Sequence, residues 1–182
     1  MSALSLILLS TLAGHPPSAV PRPLPVALVG QIRAAAGGPG GGARILLLTK
    51  DAEEFELHTS RPDGKEELER LAGVKVRIDG FQNDPRLPMG HHVMVDGYEI
   101  LDVGDGVVPE LGTIAAFTKG GTTRLLFVNE AGQAALLPEG WGKKMLRHVG
   151  AKVWMVGKRS GEAFRPVRFA ILRTSAAAEK ED

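Results

Sequence analysis

The chain has 182 residues, 43% of them hydrophobic, with 23 glycines, 12 prolines and no cysteine. That length allows one large domain or two small ones, and the absence of cysteine excludes a disulfide framework and any thiolate metal site. The formal net charge of +1 conceals a split: residues 24–106 hold 9 Lys and Arg against 14 Asp and Glu, whereas residues 107–173 hold 11 against 4.

Residues 1–23 read as a signal peptide or a disordered leader. The apolar run Ala3 to Ala13 is too short to span a bilayer and matches the length of a signal-peptide core. Cleavage after Ala13 or after Ala19 fits the small-residue rule, although no Lys or Arg precedes the run. Export to the periplasm is the expected localisation, with the cytoplasm as the alternative.

Pro25 to Arg33 is a β-branched run of strand length, and the Gly-rich stretch from Ala34 to Gly42 is a loop. Arg44–Thr49 and Glu54–His58 are two further strands, the second with Phe55 and Leu57 on one face. Glu66–Leu71 sets Leu68 and Leu71 three apart among charges, a short amphipathic helix. Val74, Val76 and Ile78 alternate with polar residues and should point inward. A loop from Phe81 to Gly90 leads to strands His92–Asp96 and Tyr98–Leu101.

The same order then repeats. Gly112–Phe117, Arg124–Val128 and Gln133–Leu137 are strands, Lys143–His148 is the counterpart helix with Met145, Leu146 and Val149 as its apolar side, and two strands close the copy at Leu172. The match is closest where Gly73-Val-Lys-Val-Arg-Ile-Asp-Gly80 reappears as Gly150-Ala-Lys-Val-Trp-Met-Val-Gly157.

Strand, strand, strand, short helix, strand, strand is an order that resembles the OB-fold, and the two Gly-to-Gly segments resemble the fourth strand of exported bacterial OB-fold proteins. The resemblance implies a mainly β protein of two tandem five-stranded OB-like barrels, each with one short helix between its third and fourth strands. On that reading residues 24–102 form an acidic first barrel, 103–109 a hinge, 110–173 a basic second barrel and 174–182 a disordered tail. A single larger β-barrel or a sandwich built from the duplicated unit is the competing architecture.

The basic cluster of the second copy is the functional lead. Lys143, Lys144, Arg147 and His148 lie on or beside the helix, and Lys152, Trp154, Lys158, Arg159, Arg165 and Arg168 follow it. Alternation sets Trp154 opposite Val153 and Met155, which predicts an exposed indole among cations, the arrangement on which bases stack while Lys and Arg follow phosphates. The competing explanation is that the cations solvate a surface and that Trp154 is covered by the other copy or by Trp141.

Other chemistry finds little support. His91 and His92 are adjacent in a strand and point to opposite faces; His58 can approach either from the third strand, but no carboxylate or cysteine spacing joins them into a recognisable site, so no metal site is expected. There is no Gly-x-Ser-x-Gly elbow; Asp102 and Asp105 sit in a Gly-rich turn; and the run Gly37 to Gly42 lacks the Gly-Lys-Ser/Thr ending of a phosphate loop. The expectation is a non-enzymatic binding or assembly module without cofactor, in which Trp154, Lys143, Lys144, Arg147, Lys158 and Arg165 contact an anionic polymer or an acidic protein surface. The alternative is a cytoplasmic single-stranded nucleic-acid-binding protein using the same face. The opposed charges of the halves also suggest self-association, one molecule's acidic half against another's basic half.

Overall fold

A computed structural model describes residues 22–37 and 42–175, without the side chain of Lys143. Almost all of the leader, most of the glycine run and most of the tail lie outside these residues. Ten strands and two short α-helices account for most of the rest. In the first half, β1 (Leu24–Ala35), β2 (Arg44–Thr49), β3 (Glu54–Thr59), α1 (Gly64–Glu69), β4 (Lys75–Gln82) and β5 (His92–Asp102) form a sheet that closes in the order β1-β2-β3-β5-β4. In the second, β6 (Glu110–Lys119), β7 (Thr122–Asn129), β8 (Ala134–Leu136), α2 (Glu139–Met145), β9 (Lys152–Ser160) and β10 (Ala163–Arg173) close in the same cyclic order. The third and fifth strands of each sheet pair in parallel and the other neighbours are antiparallel. Order, closure and the helix after the third strand make both halves OB-like.

The repeat is visible residue by residue. Val76 and Val153 are both fully buried, the first opposite Gly30 in one barrel and the second opposite Gly112 in the other. Gly80 and Gly157 each sit beside a register shift, where a Cβ would come within 2.3 Å of the Met94 carbonyl oxygen or 2.4 Å of that of Arg165. The strand must pass its neighbour's backbone that closely to turn a barrel corner, so only glycine serves.

The copies also diverge. The second helix is placed differently from expectation: α2 begins at Glu139, and Leu146–His148 is a turn of 3-10 helix. The change of pitch at Met145 aims Met145 into the core and leaves Leu146 53% exposed, which corrects the grouping of the two on one apolar side. Closure of the second sheet is thinner: β8 meets β10 through the single pair Leu136–Ala163, where β3 meets β5 through four.

Trp154 is the main correction. It is 7% exposed and belongs to the buried cluster of the first barrel, beside Leu172 and the partly buried Tyr98, Leu111 and Val156. Alternation does turn it out of its own barrel, but the other barrel covers that face. Burying an indole of roughly 200 Å² at about 25 cal/mol per Å² contributes roughly 5 kcal/mol, more than a solvated ring beside cations would gain.

At the centre of this seam Lys152 Nζ donates to Glu67 Oε1 at 2.6 Å and to the Tyr98 hydroxyl at 3.1 Å, while that hydroxyl donates to the same Glu67 oxygen. Glu67 is 1% exposed. Burial alone would push its carboxyl up, but the hydrogen bonds from Lys152 and Tyr98 outweigh burial and hold it below the ordinary value. Burial and the adjacent Glu67 carboxylate raise the Tyr98 phenol well above the usual range, so it stays a donor. Arg173 adds an ion pair to Asp63 at 3.4 Å, and Arg168 donates to the Val103 carbonyl at 2.8 Å. The connection after β5 is tied as well: Asp102 Oδ1 accepts from the backbone of Gly104 at 2.7 Å and of Val107 at 3.1 Å. Asp102 thus acts as a turn acceptor.

Lys152→Ala should leave the Glu67 carboxylate buried without its cation and cost about 3 kcal/mol by urea unfolding at neutral pH. Because the folded pKa of Glu67 is depressed, the pair's contribution is present above the ordinary carboxylate pKa and is lost as pH falls through the depressed value. The gap between wild type and variant should therefore narrow in acid; a gap that widens there would contradict the arrangement.

Candidate nucleic-acid interface

Without Trp154, the cations must be placed one by one. Lys158 and Arg165 are exposed and directly opposite each other across the β9–β10 hairpin. Between them and the turn, Arg159 is committed elsewhere: it pairs with Glu110 at 2.7 Å and lies over the Phe164 ring at 5.7 Å. Arg168 is likewise occupied, over the Trp154 ring at 5.8 Å and on the Val103 carbonyl. Lys144 is exposed on α2, where Lys143 also lies. Arg147 donates to His148 Nε2 at 3.1 Å. Burial and then the Arg147 charge lower the His148 imidazole, which keeps that nitrogen an acceptor.

The hairpin and the helix end are not one patch. Lys152 to Lys158 is six residues of β9, roughly 20 Å of strand, between them. Two further exposed cations of the second barrel, Lys119 and Arg124, belong to no motif in the sequence. Lys119, the last residue of β6 before the turn to β7, is exposed, and Arg124 on β7 is exposed opposite Phe117. Arg124 also lines a cleft of about 470 Å³ whose walls include Leu136, Pro138 and Leu146. In an OB-type barrel the loops after strands one and four bracket the face of strands two and three that takes up oligonucleotides and oligosaccharides. Lys119 marks one bracket, Lys158 and Arg165 the other, and Arg124 lies on the second strand between them.

The first barrel carries a different constellation on its outer face. His58 on β3 and His92 on β5 meet with Nε2 and Nδ1 3.0 Å apart, and Glu56 Oε2 lies 4.0 Å from the same His92 nitrogen. Parallel pairing of β3 with β5 sets Glu56 opposite His92 and His58 two residues along on the same face. His91 faces away and stacks on Phe55, with centroids 5.1 Å apart. The opposite orientation of His91 and His92 is as expected, and His58 does approach one of them, His92; the Glu56 carboxylate beside the pair is what the spacing did not reveal.

No protein-family model and no curated protein matches the chain. Among solved structures, a deletion mutant of the single-stranded DNA binding protein from Thermus aquaticus is similar to it, at 14% identity and a TM-score of 0.26, over 82% of this chain and 95% of that one. Among the described residues no helix is long and apolar enough to cross a membrane.

Burial of Trp154 can be checked by its fluorescence. In a Trp141→Phe variant the remaining emission should be blue-shifted and almost insensitive to iodide. Quenching as efficient as that of a free indole would show the ring to be open to solvent.

Proposed function

We propose that the protein is a non-catalytic two-barrel module that binds single-stranded nucleic acid through the second barrel. The observation that carries this reading is the placement of Lys158 and Arg165 at one bracket of the β7–β8 face and Lys119 at the other, with Arg124 between them beside the Leu146 cleft. Phosphates would follow these cations, and bases would rest on the apolar wall of the cleft, because the indole expected to stack them is buried. Lys144 on α2 and Arg147 in the 3-10 turn after it extend the path. Contacts of this kind attract a charged backbone with little sequence preference. The acidic first barrel is directed elsewhere: part of its charge is neutralised by Lys152 and Arg173 of the second barrel.

Binding of a fluorescent oligothymidylate to the full chain tests the proposal. With four phosphates neutralised, log K should fall with log salt at a slope of about −3. Charge reversal of Lys158 and Arg165 together should weaken binding by at least about tenfold at moderate salt and flatten that slope. Equal or tighter binding of inorganic polyphosphate would transfer the reading to a polymer without bases. No binding at low salt, or a double variant that binds as wild type does, would overturn it.

A further inference from the structure

The Glu56, His58 and His92 cluster lies outside the proposed nucleic-acid face, and its chemistry is different. Two imidazole nitrogens and one carboxylate oxygen come within 4.8 Å of one another. A tetrahedral zinc ion with Zn–N bonds of about 2.0–2.1 Å sets its nitrogens roughly 3.3 Å apart. The observed 3.0 Å between His58 Nε2 and His92 Nδ1 needs to open by only a few tenths of an ångström; Glu56 needs to close by less than 1 Å on His92, from 4.0 Å, and by up to about 1.5 Å on His58, from within 4.8 Å. The three side chains come from the paired backbones of β3 and β5, so their spacing is set by the sheet.

We propose that Glu56, His58 and His92 form a binding site for a single divalent transition-metal ion of the zinc class on the outer face of the first barrel. Two imidazoles and one carboxylate suit zinc, copper or nickel; calcium and magnesium demand more oxygen ligands than the cluster offers. Three protein ligands leave a fourth position, and two of them, Glu56 and His58, also line a cavity of about 160 Å³ with Arg44, Thr59 and Lys65. Water completes the coordination.

Arg44 is the element that opposes the ion and also positions its ligand. Its Nε and Nη2 both reach Glu56 Oε2, at 3.0 and 2.7 Å, so it holds the carboxylate beside His92 while contributing a like charge. The Arg44 side chain is 52% exposed and can swing into solvent when the ion arrives. A histidine pair that merely shares a proton would have no such dependence on Arg44.

Isothermal titration of the untagged full chain with Zn²⁺, and separately with Mg²⁺, tests the site. Wild type should take up a single Zn²⁺ and show no heat with Mg²⁺. His58→Gln and His92→Gln should each weaken zinc binding by at least about tenfold. His91→Gln should leave it unchanged, and Arg44→Gln should tighten it severalfold. Imidazole ¹⁵N spectra of the wild type give a readout that needs no variant: zinc should shift the His58 and His92 resonances and spare those of His91 and His148. No uptake at millimolar zinc, equal loss on His91→Gln, or shifts centred on another histidine would overturn the proposal.

Discussion

A lysine ammonium and a glutamate carboxylate, both withdrawn from bulk water, decide how the two halves of this protein meet. Lys152 enters the first barrel where the Glu67 carboxylate is almost fully buried, and Tyr98 completes the contact by donating to Glu67 and accepting from Lys152. Desolvating two charges costs about as much as their attraction returns, so the pair is a poor source of net stability. What it does supply is a penalty against every other docking, since any slip leaves Glu67 buried without a cation. The Trp154 indole beside it contributes the apolar area; the ion pair selects the register.

The charge asymmetry of the chain takes on a definite meaning in this setting. Lys152 with Glu67, and Arg173 with Asp63, join the basic half to the acidic half within one chain. The same complementarity that suggested one molecule docking onto another is thus partly satisfied internally. The cations left over are those at the rim of the second barrel, away from the seam. The duplicated strand therefore diverged in use: Lys75 in the first copy is exposed, whereas its counterpart Lys152 is directed into the other barrel.

Divergence also separates the two candidate sites. In the second barrel, β8 has shrunk to three residues and α2 starts early, which opens the cleft beside Arg124. In the first, β3 is twice as long and its parallel pairing with β5 spans four residue pairs, which is what sets Glu56 and His58 beside His92. Length and side chains of one strand, not a change of fold, distinguish a barrel with cations beside a cleft from one with imidazoles on its outer face.

Much of the architecture was legible in the chain itself. Period-two alternation at Val74, Val76 and Ile78, the recurrence of the Gly73-to-Gly80 segment at Gly150 to Gly157, and the short amphipathic helix of the first copy are local signals, because a side chain's direction follows from its own backbone. The order of elements then needed only the repeat. Tertiary structure alone decided which outward faces meet solvent. Alternation correctly turned Trp154 out of its barrel, but whether a second barrel lies beyond it depends on contacts across about a hundred residues. The same holds for His58 and His92, joined by a parallel pairing that no spacing encodes, and for Glu67, whose partner lies in the other copy. Direction is a property of neighbouring residues; burial is a property of the whole chain.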